Sequence, residues 1–438
     1  MKKMVKTSMV VALACSVMVG CTADPVATDK NPDPGKTTKA PDNEIFIYTS
    51  YPAFYAKEEN WDKQVGQYLK KKFPDLTIKH VHWDKGREYK DLIAAGTIPD
   101  IIIDNARMNY ERYILKNDLQ YDMTELIKKF NFDTSKLNPA AMAQMKNMTP
   151  EGKIYGLPFQ LSDFVLFYNK DIFDKFGVDY PKDGMTYDEI YELAKKLTRV
   201  EGENTYKGYQ QHPGLYMTYN QLSLPPLSLT EDKAQLSTDG WKKEVDNLRR
   251  FYEIPANQFT SVDDFPKGKM AMSVHVSEKI IQWYEQNKNL NFDIAAMPSF
   301  ADVPKTKAQP NMYAAYIAQQ STKKDKAFQV IAYLLSEEMQ INFSKEGIIG
   351  PLESQKVQEA FGKNLPQMQG KHTESIFYSK NAMPPAARAN GLTHVDVPLH
   401  NVFAPLIFGE SKDSATALRM IEEQTNKGIL TEKAAKSK

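Results

Sequence analysis

The sequence predicts an α/β protein built in two lobes, and three observations carry that expectation. Short runs rich in β-formers alternate with helical-period segments from Glu44 onward. The run Ile101-Ile102-Ile103 is apolar on both faces, as a strand covered by helices on each side must be. A proline-punctuated stretch, GKIYGLPFQLSDFVLFYNKDIF (152–173), leaves one set of such elements and starts another.

The chain opens on a segment that does not belong to the fold. Lys2, Lys3 and Lys6 precede an apolar block from Met9 to Gly20. A block this short cannot cross a bilayer as a helix, which takes about 20 apolar residues, so residues 1–20 read as a signal peptide for export. From Thr22 to Asn43 four prolines and almost no large apolar side chain leave nothing to bury, which predicts an extended linker. Of the two cysteines, Cys15 lies inside the export signal and Cys21 directly after it. The exported chain therefore builds no disulfide and depends on a large core. With 438 residues, 42% hydrophobic and 25% charged, it is long enough for two or more domains. The 56 Lys plus Arg against 55 Asp plus Glu leave a net charge of +1, which argues against nucleic acid as a partner.

The ordered elements follow in sequence. EIFIY (44–48) is a first strand, and Trp61, Val65, Tyr68, Leu69 and Phe73 recur at helical spacing after it. Leu76 to Trp83 is a second strand, Tyr89 to Ala95 a helix stopped by Gly96, and PDIIID (99–104) a third strand. This alternation points to parallel βαβ units, whose ligands bind beyond the carboxyl ends of the strands. Those ends here are TSYPAFYA (49–56) and DNARMNY (104–110). Gly156 and Pro158 interrupt an extended segment, Phe164 to Tyr168 is a fresh buried strand, and Asp171 to Phe176 is a helix. Thr186 and Glu189 form a capping box that opens a helix with Ile190, Leu193 and Leu197 on one face. FDIAAMPSF (292–300) is another strand, and residues 324–347 are one amphipathic helical region closed by Gly347.

Six of these segments, in order, resemble the extracellular solute-binding proteins of family 1, the group that includes the maltodextrin-binding proteins of ABC importers. They are AAGTIPDII (94–102), GKIYGLPF with LFYNKDIFDKFGV (152–178), YDEIYELAKKLT (187–198), FPKGKMAMSV (265–274), IAAMPSF (294–300), and AFQVIAYLLSEEMQ followed by GIIGPLES (327–354). The likeness implies a periplasmic-binding-protein-like fold of type II. Two α/β lobes, 44–158 with 300–350 and 159–299 with 351–438, are joined by hinge strands with the ligand in the cleft between them. It implies a monomeric receptor with no chemistry, metal or cofactor of its own, which delivers its solute to the permease transmembrane subunits. VMVGC (17–21) in turn resembles the bacterial lipoprotein lipobox, with Met18 where relatives usually carry Leu. Cys21 would then bear a diacyl anchor of the palmitate type on the outer face of the cell membrane.

A sugar site needs aromatic platforms and planar hydrogen-bonding side chains, and the family positions nominate both. After strand one they are Tyr51, Phe54 and Tyr55; after strand three, Asp104, Asn105 and Arg107, where the family's aromatic is missing. After Pro158 they are Gln160, Ser162 and Asp163, the last equally suited to capping local backbone. The loop HPGLYMTYNQ (212–221) offers Tyr216, Tyr219 and Asn220. Where the family often reads Gly-x-Trp, this chain has Glu278 with Trp283 a turn later, and a late loop offers Arg388, Asn390, His394 and Asp396. Trp61 and Trp241 fall at core spacing. The 23 tyrosines and near-zero net charge favour a neutral solute, an oligosaccharide.

Three other readings stand beside this one. His80, His82 and Asp84 share a face of strand two and could bind a metal, but no fourth ligand is visible and a solvated edge or lobe surface is the favoured alternative. A secreted glycosidase would use two carboxylates, and a peptide receptor would need backbone partners in the same loops. No HExxH, phosphate loop or G-x-S-x-G elbow occurs.

Overall fold

A computed structural model describes residues 43–50, 53–408 and 413–436. The export signal, Cys21 and Tyr51 lie outside the described residues. Twelve strands carry the fold among them: β1 Glu44–Thr49, β2 Thr77–His82, β3 Ile101–Asn105, β4 Gly156–Leu161, β5 Phe164–Asn169, β6 Arg199–Glu201, β7 Asn204–Gln211, β8 Met270–Val276, β9 Phe292–Ala296, β10 Thr306–Lys307, β11 Met312–Ile317 and β12 Lys380–Asn381. They form two five-stranded sheets, ordered β2-β1-β3-β11-β4 and β6-β7-β8-β5-β9, with β10 and β12 as a separate pair. The fold is α/β and two-lobed, as the sequence indicates.

Neither sheet is purely parallel, which corrects the simple βαβ expectation. β1, β2 and β3 run parallel, but β11 runs antiparallel to β3 and β4. In the second sheet β7 and β8 are parallel, while β5 runs against both β8 and β9. The reason lies in how each strand enters. β5 arrives directly from the first sheet and β11 by the return segment from the second, so both start at the edge where the others end.

Local sequence explains most elements. Pro158 is tolerated because β4 is an edge strand. The Thr186 hydroxyl accepts from the Glu189 N–H at 3.3 Å and the Glu189 carboxylate accepts from the Thr186 N–H at 2.7 Å, so the capping box forms. The region 324–347 is two helices, Lys324–Leu334 and Glu337–Lys345, because Ser336 caps a new one through the Met339 N–H.

Alternation sorts the core. Ile45, Ile47, Ile101 and Ile103 pack on one face of the first sheet with Trp61, Val65, Phe328 and Ile331. Phe46, Tyr48 and Ile102 face the other way, and that second cluster continues into the second sheet through Leu161, Val165 and Phe167 to Phe265 and Trp283. Phe164, Leu166 and Tyr168 turn to a third cluster with Trp241, Leu248 and Phe251.

Trp283 therefore belongs to the core. It is 0% exposed, with its ring 4.7 Å from Phe167 and 4.9 Å from Phe265. We expect Trp283→Ala to lower the unfolding free energy by about 3–5 kcal/mol in chemical denaturation; a loss below about 1 kcal/mol would contradict this placement.

Candidate ligand-binding cleft

Strand directions define an edge on each sheet. In the first sheet β2, β1, β3 and β4 end there and β11 begins there; in the second, β7, β8 and β9 end and β5 begins. The chain crosses between these edges at Leu161–Phe164 and again between Ala296 and Met312. Loops at strand ends beside a crossover are where ligands of such folds bind.

The first crossover is two residues long, and each has its backbone held on one side. Ser162 N–H donates to the Asn311 carbonyl at 2.7 Å, and the Asp163 carbonyl accepts from Ser277 N–H at 2.8 Å. The Asp163 carboxylate forms a 2.5 Å ion pair with Lys307, with both side chains almost fully buried. Asn381 Nδ2 donates to it at 2.9 Å, and Lys307 Nζ also donates to the Ile376 carbonyl at 2.9 Å. A cavity of about 150 Å³ lined by Asn138, Asp163, Lys307, Ser379 and Asn381 adjoins the pair. It is smaller than the roughly 300–1,000 Å³ of ordinary ligand pockets.

A second cluster lies where the strand ends meet. Arg107, from the β3 end, donates through Nη1 to the Thr218 carbonyl and through Nη2 to Gln309 Oε1 at 3.0 Å. Its guanidinium lies 5.3 Å from the centre of the Tyr219 ring. Tyr219 donates its hydroxyl to Asn311 Oδ1 at 2.8 Å, and Asn105 Nδ2 donates to the same oxygen at 3.3 Å. Gln309 Nε2 donates to the Asn220 carbonyl at 2.9 Å. Of the nominated residues, Asn105, Arg107 and Tyr219 lie together here. Gln309 and Asn311 were not singled out from the sequence; the structure places them just before β11, beside the end of β4.

Glu278 stands close to the first crossover, its Oε1 hydrogen-bonded to Ser162 Oγ while Oε2 is enclosed without a partner. Burial pushes its carboxyl up to about 7, against which the Ser162 hydrogen bond works. Gln160 is buried with Oε1 also unpartnered.

Other nominated residues fall elsewhere. The Phe54 side chain lies outside the described ones, and Tyr55 is buried edge-on against Trp61 at 5.4 Å. Asp104 is 0% exposed and accepts from the Tyr89 hydroxyl and Asn109 Nδ2, each at 2.7 Å, so it organises the β3 end from below. Tyr216 is in the second lobe's core, its hydroxyl accepting from Asn247 at 3.0 Å. The Asn220 side chain closes its own loop on Leu224. Arg388 donates to the Ser228 and Thr393 carbonyls, whereas His394 and Asp396 pair with Glu111 and Arg112 of the helical segment Tyr110–Leu115, and Asn390 with Glu151. The 388–396 loop therefore touches elements carried by both sheets through exposed pairs that contribute little.

His80 and His82 are not a solvated edge. Thr49 Oγ1 lies 2.9 Å from His80 Nε2 and 2.8 Å from His82 Nδ1, Glu58 contacts His80 Nδ1 at 2.9 Å, and Trp61 stacks on His80 at 3.9 Å. Burial lowers both imidazoles, His82 to about 4. Asp84 turns away to Lys85 N–H and Arg87. Among the described residues no group of three or more His, Cys, Asp or Glu could hold a metal ion.

Comparison with known proteins gives a consistent family. The model of the bacterial extracellular solute-binding proteins matches residues 65–370. A putative binding protein of Brucella abortus (strain 2308) is 25% identical over 315 residues, 68% of this chain and 74% of that one. The arabinooligosaccharide-binding protein of Bacillus subtilis (strain 168) is 27% identical over 211 residues, 46% of this chain and 44% of that one. The crystal structure of the cyclic α-maltosyl-1,6-maltose binding protein from Arthrobacter globiformis superposes with a TM-score of 0.69 at 17% identity, over 88% of this chain and 98% of that one.

The raised Glu278 carboxyl makes a pH prediction. Its folded value lies above the ordinary 4.5, so the folded state holds the proton more tightly and stability falls as pH rises from about 4.5 to about 7. Glu278→Gln removes that penalty. The melting point of the variant, taken relative to the parent, should be higher at pH 8 than at pH 5; an equal difference at both would refute the assignment.

Proposed function

The chain belongs to the bacterial extracellular solute-binding protein family, and we propose that it captures an oligosaccharide for an ABC importer. The solute enters the cleft, the lobes close on it about the two crossovers, and the closed form delivers it to the permease transmembrane subunits. We take the moving bodies to be the first sheet with its helices, through Leu161, and the second sheet with the C-terminal segment.

The observation that carries this reading is the cluster Asn105, Arg107, Tyr219, Gln309 and Asn311. It brings amide, guanidinium and phenol groups from both sheets and the return crossover to one place. Planar donors and acceptors around an aromatic face are the chemistry that a sugar's hydroxyl rim and C–H face require. These groups hydrogen-bond one another, and sugar hydroxyls can take over the same bonds. The names of the Bacillus and Arthrobacter relatives support a carbohydrate over other neutral solutes.

The sequence VMVGC supports anchoring at Cys21, with the proline-rich segment 22–43 as a tether at the outer face of the membrane. Cys21→Ala should move the protein from the membrane fraction to the soluble fraction on cell fractionation. Retention in the membrane would remove the anchor from the reading.

A thermal-shift screen against a carbohydrate panel tests the solute. A sugar at 100 times its dissociation constant adds about 2.7 kcal/mol to the folded state. Calorimetry on the same sugar should show Asn311→Ala binding about tenfold more weakly. Chromatography should recover the sugar unchanged. A panel without a hit, or conversion of the sugar to products, overturns the proposal.

A further inference from the structure

The four tryptophans of the chain divide into two kinds. Trp61, Trp241 and Trp283 are 2%, 1% and 0% exposed, whereas Trp83 is 48% exposed. A single exposed apolar side chain is ordinary by itself. What distinguishes Trp83 is its place. It follows the last residue of β2, and its N–H donates to the Thr49 carbonyl at 2.8 Å, which fixes its backbone on the cleft edge of the first sheet. Sheet order then gives its distance from the polar cluster. From β2 through β1 and β3 to β11 is three strand steps, each about 4.8 Å, so Trp83 stands roughly 14 Å along this edge from Asn311. Beside it the Asp84–Arg87 pair, 3.2 Å apart and exposed, offers a carboxylate and a guanidinium.

We propose that Trp83 is the stacking face of a distal sugar subsite, so that one solute spans the edge from the Asn311 cluster to the β2 end. This rests on the oligosaccharide reading above and sharpens it: the solute is longer than one ring. An indole is the largest flat apolar face a side chain can present, and the adjacent charged pair supplies partners for ring hydroxyls. Among the nominated aromatics whose side chains are described, Tyr55, Tyr216 and Trp283 are buried and present no stacking face.

The test uses the exported chain, a length series of maltodextrins and arabino-oligosaccharides, and the variants Trp83→Ala and Trp83→Phe. Because the other tryptophans are buried, binding of a long sugar should shift the parent's tryptophan emission, and a monosaccharide should not. By calorimetry Trp83→Ala should weaken the longer sugars about tenfold, ~1.4 kcal/mol, and leave a monosaccharide unchanged. Trp83→Phe should keep most of the affinity and lose the emission shift. If Trp83→Ala binds long sugars as tightly as the parent, the subsite is overturned while the sugar reading survives. Normal binding with failed uptake in cells would likewise overturn it, marking the indole as a permease contact. If no sugar in either series binds, both fall together.

Discussion

The buried ion pair between Asp163 and Lys307 is the constraint on which the rest of this architecture depends. Asp163 sits in the first crossover, Lys307 in the return, and Asn381, which donates to the same carboxylate, in the C-terminal segment. Three stretches distant in sequence are therefore held at one point. Taking both charges out of water is costly, and such a pair is tolerated only when its remaining donors and acceptors are filled. Here the Ile376 carbonyl and the Asn381 amide fill them, and Asn138, which caps helix Pro139–Lys146, reaches Asn381 Oδ1 at 3.2 Å. The pair gains specificity from this: each partner has one place to go, so the crossovers lie in one register.

With the crossovers fixed, the strand ends are fixed too. Each sheet presents its carboxyl-terminal edge to the junction, and the reversed strands β5 and β11 follow from chains that enter there. Polar side chains that would be unremarkable on a surface become a site because two edges bring them together. Asn311 is the clearest case: its single side-chain oxygen receives Asn105 from the first sheet and Tyr219 from the second lobe's loop. Immediately before Asn105 in the chain, Asp104 has the complementary role of tying Tyr89 and Asn109 beneath the β3 end.

Much of this was legible in the sequence because it is local. The isoleucine run of β3, the Thr186–Glu189 box and the Gly156–Pro158 interruption each announce themselves within a few residues. What was not legible is tertiary. Tyr55 and Tyr216 stand at positions that the family resemblance nominates for contacts and Trp283 a turn past one, yet only packing decides whether a ring faces a cleft or a core. The alternation that puts His80 and His82 on one face is readable, but the Trp61 ring that covers His80 comes from a separate helix. At Ser336 a local signal, a serine in front of two glutamates, prevails over the apolar periodicity that runs through it. Gln309 and Asn311 carried no signature because amides acquire their role here from two crossovers meeting.

The brevity of the first crossover has a mechanical meaning. Only Ser162 and Asp163 separate the end of β4 from the start of β5, and each residue has two soft backbone rotations. Any turn of one sheet against the other must pass through about four torsions at that tether, with the neighbouring peptide planes rigid. So short a linkage has few independent coordinates to vary, and the two sheets are confined to a correspondingly narrow range of mutual angles.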